Sequence, residues 1–206
     1  MNASVSDFLE TGDILIIPLF QDTEKSPNNT TIGLSRSASI TLKSAISSDS
    51  FDGKEGETIS IWTKECQIIL LGMGTNNSLT TKKSRDIGAK CFSNLSGNKG
   101  KDIVIRFTTR WNTENMASFA EGMILRDYTF DKYQKKIDEE KHDGEWTIVC
   151  QTTKRHRKNL DLEIKKLSSI ATGVHLARDL GNEPANRLYP EEFARRAEDW
   201  AKEKEN

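Results

Sequence analysis

Cysteine, proline and long apolar runs are all scarce in this chain of 206 residues, and each scarcity excludes a class of protein. The three cysteines, Cys66, Cys91 and Cys150, are far apart and odd in number, and no Cys-x-x-Cys pair occurs. Neither a disulfide framework nor a zinc knuckle is therefore supported, and we expect three reduced, mostly buried thiols in a cytoplasmic protein. No apolar run is long enough to span a bilayer, and no signal-peptide pattern is visible near Met1.

An excess of charge of one sign is also missing, since 30 Lys and Arg residues stand against 31 Asp and Glu residues. This balance does not point to nucleic acid or to an anionic membrane as a partner. The hydrophobic fraction of 35% is low, which favours a modest core with long polar loops.

Several short apolar runs predict the strands of a buried sheet. Continuous runs at 13–20, 67–71, 102–107 and 146–150 are typical of buried strands, with the first ending near Pro18. Residues 58–62 alternate apolar and polar, as a half-exposed strand does. Residues 21–58 are rich in Ser, Thr, Asn, Asp and Gly, and their scattered apolar residues support either a short helix or a strand.

Helical periodicity appears between these runs. Residues 80–95 and 115–125 each place apolar side chains on one helical face, and residues 160–177 repeat this pattern over a long amphipathic helix. The polar run 135–144 indicates a loop. Strands alternating with helices predict an α/β fold whose sheet is covered on both faces.

Three blocks of sequence, in order, carry a resemblance to a known family. Residues 67–74 read Gln-Ile-Ile-Leu-Leu-Gly-Met-Gly, and residues 120–133 begin Ala-Glu-Gly-Met-Ile-Leu-Arg-Asp-Tyr. Residues 177–198 contain Ala-Arg-Asp-Leu, then Asn-Glu-Pro-Ala-Asn and a further proline. These blocks resemble the amino-terminal domain and interdomain segment of the leucine aminopeptidase (cytosol aminopeptidase) family.

The resemblance implies a macro-like fold, with a mixed β-sheet between helices, and a division of the chain. Residues 1–152 would form the amino-terminal domain, and residues 153–206 the interdomain helix, a hinge loop and the start of a catalytic domain. The expected hinge residues, which would orient that domain, are Arg178, Asn182, Pro184 and Asn186. Within this segment, Gly181 is predicted to end the long helix in the left-handed conformation, and Pro190 to begin the next helix.

The family removes amino-terminal residues, preferably Leu-like ones, from peptides with two divalent metals, zinc or manganese, bound in the carboxyl-terminal domain. Segments resembling its metal-binding motifs, Val-Gly-Lys-Gly-Val-Thr-Phe-Asp-Ser-Gly-Gly and Asn-Thr-Asp-Ala-Glu-Gly-Arg, do not occur in this chain. The resemblance therefore assigns it no catalytic and no metal-binding residue. It implies an inactive, structural part of the enzyme that packs against its own catalytic domain and supports a hexamer.

Two alternative functions stay open as binding modules. The turn Gly72-Met73-Gly74 could bind an anion, which would suit a nucleotide such as ADP-ribose, although a purely structural turn is favoured. The basic run 154–158 could contact nucleic acid, although a solvated loop before a helix is favoured. The histidines His142, His156 and His175 show no metal-ligand spacing, and His175 is expected to flank or join the core.

The last helix predicts an unpartnered apolar face. Phe193, Ala197, Trp200 and Ala201 recur at helical spacing, and we expect a catalytic domain to cover them. Without that domain, the helix would fold back on its own domain, fray or dock on another copy of the chain. Docking on another copy is favoured in crystals, and fraying is favoured in dilute solution.

Overall fold

The computed structural model describes residues 1–7, 12–22, 33–47, 51–95, 101–108, 110–133 and 146–204. The loop predicted at 135–144 lies outside these residues. In chain order the elements are β1 (Asn2–Ser6), β2 (Ile14–Leu19), α1 (Arg36–Ser47), β3 (Thr58–Trp62), β4 (Gln67–Gly72), a 3-10 turn (Asn76–Ser78), α2 (Thr81–Leu95), β5 (Asp102–Arg106), α3 (Thr113–Asp127), β6 (Thr147–Gln151), α4 (Lys154–Asn182) and α5 (Pro190–Lys204).

The six strands form one mixed sheet in the order β1-β6-β5-β2-β4-β3. All neighbours are parallel except β3, which runs antiparallel to β4 at one edge. Each central strand has a continuous apolar run, because parallel strands with helices on both sides are largely shielded from solvent. The predicted α/β fold is confirmed, and the four apolar runs do lie in one sheet.

Helices cover the two faces of the sheet unequally. One face packs against α2, α3 and α4, with Phe119, Met123 and Leu160 among its buried side chains. The other face packs against α1, through Leu42 and Ile46. The three cysteines are free and buried, as predicted.

Two glycines let α2 and α3 cross at backbone contact. A Cβ on Gly88 would lie 2.2 Å from the carbonyl oxygen of Phe119, and one on Gly122 would lie 2.0 Å from that of Arg85. Ser84 adds a hydrogen bond from its Oγ to the carbonyl of Asn115 at 2.7 Å. The crossing therefore leaves no room for any side chain at either glycine.

The structure differs from the sequence predictions at the amino-terminal side. Strand β1 was not predicted, because Asn2–Ser6 is short and polar and pairs along one side only, with β6. Strand β2, by contrast, ends at Leu19, near Pro18 as predicted; it pairs with β5 only as far as Ile16, so the proline lies beyond that ladder. Within the undecided region 21–58, Arg36–Ser47 form the helix α1.

Candidate functional site

The predicted hinge lies between the end of α4 and the start of α5. Helix α4 ends at Asn182, and Glu183 follows in an extended conformation with φ −67° and ψ 135°. Pro184 explains this end, because the residue before a proline is disfavoured in the helical region. The prediction for Gly181 is wrong: this residue lies inside α4 and its φ is not positive. Pro190 begins α5, as predicted.

Two of the expected hinge residues anchor α4 to the end of α3. Arg178 donates from Nη1 to the carbonyl oxygen of Leu125 at 2.8 Å, and its guanidinium lies 5.4 Å from the centre of the Tyr128 ring. Asn182 donates from Nδ2 to the Tyr128 hydroxyl at 3.1 Å, and that hydroxyl donates to Asp179 at 2.8 Å. Arg178 and Asn182 thus position the helix that leads into the loop.

The other two expected residues shape the loop itself. The carbonyl oxygen of Pro184 accepts hydrogen bonds from the N–H groups of Arg187 and Leu188 at 2.8 and 2.9 Å. Asn186 is exposed in the turn that these bonds close. The loop is therefore a compact turn, built on backbone bonds.

Glu183 is the residue of this segment that the sequence predictions missed. Its carboxylate is 2% exposed and accepts hydrogen bonds from Lys132 Nζ, the Tyr133 hydroxyl and, at 2.9 Å, Arg196 Nη1. These three donors, with Lys132 the largest contributor, lower the pKa of Glu183 to about 2. The carboxylate of Glu183, in the loop between α4 and α5, therefore connects the turn after α3 to α5.

An apolar groove of about 510 Å³ lies beside this carboxylate. Its walls come from the turn after α3, the end of α4 and one face of α5, and its apolar lining is Phe130, Leu176, Leu180, Phe193, Ala197 and Trp200. Phe193 and Trp200 remain 51% and 50% exposed. The predicted apolar face of α5 thus lines this groove only in part.

The turn Gly72-Met73-Gly74 is built into the sheet by its own backbone. The N–H groups of these residues donate to the carbonyls of Glu57, Leu19 and Gly53 at 2.7, 2.9 and 2.9 Å. A Cβ on Gly72 would lie 2.0 Å from the carbonyl oxygen of Lys54, which explains why glycine occupies that position. An anion at this turn would have to displace those backbone hydrogen bonds.

The basic run 154–158 lies in the first turns of α4, so the prediction of a loop there is wrong. Arg157 pairs with Asp7 at 2.6 Å, and His156 is 3.2 Å from the Thr113 hydroxyl. His175 is half-buried, with its ring 5.3 Å from that of Tyr128, and burial lowers its pKa. His175 therefore flanks the core, as expected.

Within the described ranges, no three His, Cys, Asp or Glu side chains come close enough to hold a metal ion. These residues do not fit a two-metal centre, so no catalytic step is derived for them. None of the described helices combines the length and apolarity that crossing a bilayer requires.

The family model of the cytosol aminopeptidase family, N-terminal domain, matches residues 16–137, more than half of the chain. The chain belongs to this family. The matched region runs from β2 to the segment after α3 and so includes the turn that supplies Lys132 and Tyr133. Residues 177–198, the third block of the resemblance, lie outside the matched region.

Sequence and structure comparisons agree with this assignment. A probable cytosol aminopeptidase from Clostridium perfringens is 31% identical over 194 residues, which cover 89% of this chain and 37% of that protein. A mutant of tomato leucine aminopeptidase has a similar fold, with a TM-score of 0.73 at 20% identity over 98% of this chain and 42% of that one. The bottromycin maturation enzyme BotP in complex with Mn gives a TM-score of 0.63 at 18% identity, over 92% of this chain and 36% of that one.

The chain spans little more than a third of the length of the Clostridium perfringens relative. The candidate site consists of the buried carboxylate of Glu183, its three donors and the apolar groove. It connects the turn after α3 to α5.

Proposed function

We propose that this chain serves as the amino-terminal, non-catalytic part of a metal-dependent leucine aminopeptidase. The family match over residues 16–137 is the observation that carries the proposal. In this proposal residues 1–152 form the amino-terminal domain, and residues 153–206 connect it to a catalytic domain. That catalytic domain would bind zinc or manganese and remove amino-terminal, Leu-like residues from peptides.

The role of the chain itself would be structural. Arg178 and Asn182 hold α4 against the end of α3, while Pro184 and Asn186 form the turn that leads into α5. These contacts fix the path of the chain toward a catalytic domain, which supports the hinge role proposed for the four residues. The cytosolic location and the hexamer belong to the same proposal.

An activity assay tests the non-catalytic role directly. The purified chain, with added Zn²⁺ or Mn²⁺, is expected to leave leucine p-nitroanilide intact, because its described residues form no metal centre. Metal-dependent turnover that co-purifies with the chain through several columns would contradict the proposal.

The coding sequence after Asn206 provides a second test. We expect it to encode segments resembling Val-Gly-Lys-Gly-Val-Thr-Phe-Asp-Ser-Gly-Gly and Asn-Thr-Asp-Ala-Glu-Gly-Arg. A transcript that stops there would remove the support for a link to a catalytic domain.

The alternative functions have less structural support. The three N–H groups of the turn 72–74 already donate to backbone carbonyls, which argues against a nucleotide such as ADP-ribose binding there. Arg157 of the basic run is paired with Asp7, which weakens its case as a nucleic-acid contact. A rise in melting temperature with ADP-ribose, or salt-dependent binding of DNA, would revive the respective alternative.

A further inference from the structure

We propose that Glu183 is a latch that fixes the orientation of α5 relative to the α/β part of the chain. Two of its donors, Lys132 and Tyr133, belong to the turn after α3, and the third, Arg196, belongs to α5. One carboxylate thus binds both parts at once. Hydrogen bonds to a charged group are stronger than neutral ones, so this contact resists separation better than an ordinary polar contact does.

The position of the carboxylate is set before α5 contributes to it. Pro184 restricts Glu183 to an extended backbone, and the preceding Asn182 is bonded to Tyr128. The Glu183 side chain is therefore held on the α/β side, where Lys132 and Tyr133 meet it. Arg196 then completes the cluster from α5.

The ion pairs that Glu192 and Asp199 make stay within α5 and cannot orient it. Glu192 accepts from Arg195 at 2.8 Å and from Arg196 at 2.8 Å, and Arg195 also pairs with Asp199 at 2.7 Å. The bond between Arg196 and Glu183, by contrast, leaves α5 and reaches the hinge loop. Arg196 is thereby shared between a local pair and the latch.

The latch sets the direction of α5 within this chain without help from any partner. The consequence for a catalytic domain rests on the proposed function, but the latch itself is a property of this chain and is measured in it alone.

A distance measurement between spin labels tests the latch. The labels are placed on Lys90→Cys in α2 and Glu198→Cys in α5, both of which are exposed, whereas the three native thiols are buried. We expect one narrow distance distribution in the otherwise unchanged chain. In Glu183→Ala that narrow distribution should be lost, while the melting temperature of the α/β part stays the same.

Glu192→Ala is the matched control, because it also removes a carboxylate that binds Arg196. Its bonds lie within α5, so the narrow distance should remain. Tyr133→Phe removes one of the three donors and should broaden the distribution less than Glu183→Ala does.

Three outcomes would overturn the latch. The narrow distance could persist in Glu183→Ala, which would show that the groove alone orients α5. Equal broadening in Glu192→Ala would trace the effect to the stability of the helix. Unfolding of the α/β part in Glu183→Ala would make the residue a contributor to core stability. None of these results depends on aminopeptidase activity, so a failure of the latch is distinguishable from a failure of the proposed function.

Discussion

Two regions of this molecule are held together by different forces. The α/β part, β1 to α4, is stabilised by close packing: Phe119 is fully buried, and Gly122 lies against the backbone of the neighbouring helix. The arm, residues 183–204, is held by charge, through the hydrogen bonds of Glu183 to the turn after α3, and its Phe193 and Trp200 are half-exposed. The same residue types therefore have different energetic consequences in the two regions. A substitution in the α/β part should affect folding, and one in the arm should affect orientation.

Truncating one phenylalanine in each region should give the largest contrast. Phe119→Ala removes a fully buried ring that contacts Phe107 and Trp111, and should lower the free energy of unfolding by about 3–5 kcal/mol. Phe193→Ala should lower it by about 1 kcal/mol or less, because half of that side chain is already in water. Urea denaturation monitored by far-UV circular dichroism measures the free energy of unfolding of both variants. Similar losses in the two variants would show that α5 is part of the core.

Alanine substitutions at two helical glycines should change the free energy of unfolding by smaller amounts and in opposite directions. Gly122→Ala places a Cβ against the carbonyl of Arg85 and should destabilise the chain by about 1–3 kcal/mol. Gly173→Ala, in α4, meets no described atom within 4 Å and should stabilise the chain by up to about 1 kcal/mol through helix propensity. Thermal denaturation compares the two. A stable Gly122→Ala would contradict the close crossing of α2 and α3.

Most of the sheet was predictable from the sequence, because a strand buried on both faces is rich in apolar residues. Strands β2, β4, β5 and β6 each contain an uninterrupted apolar run of three or more residues. Strand β1 does not, since Asn2–Ser6 lies at an edge and pairs on one side only. Its position depends on a contact with β6, about 145 residues away, which local periodicity does not record.

The candidate site was predictable only in part. Arg178 and Asn182 were identified by resemblance, but Glu183 between them and Pro184 was passed over, because a charged loop residue is most often solvated. One signal could have found it: a residue before proline is held extended, so its side chain points in a fixed direction. Its donors, 50 or more residues earlier and 13 residues later, required the fold.

Acid should act on the carboxylate of the latch, and alkali should act on the buried thiols of the α/β part. The pKa of Glu183 falls from its ordinary 4.5 to about 2, so its contribution is complete above pH 4.5 and is lost as the pH falls toward 2. In the α/β part, burial raises the pKa of Cys91 and Cys150 from 9.0 to about 12. Their contribution is complete below pH 9 and is lost as the pH rises toward 12.

The distance between labels at 90 and 198 and the melting temperature measure these two responses. In acid the distance distribution should broaden before the α/β part melts, and in alkali the α/β part should weaken as its buried thiols ionise. Loss of both at the same acid pH would mean that the two regions unfold as one unit.

The smallest effect on stability is expected from the exposed tryptophan of the arm. Trp200→Ser removes a half-exposed ring from α5 and should change the melting temperature by only a few degrees, about 4 °C at most. Its larger effect should be on self-association at high concentration, because a partly open groove with Phe193 and Trp200 on its wall offers apolar surface to another copy. Trp62→Ser, in the edge strand β3, is the control, since Trp62 is also exposed but lies away from the groove. Sedimentation velocity should show weaker association for Trp200→Ser and unchanged association for Trp62→Ser. Equal weakening in both would point to nonspecific contacts between exposed rings, and a strong loss of stability in dilute Trp200→Ser would place α5 in the core of this chain.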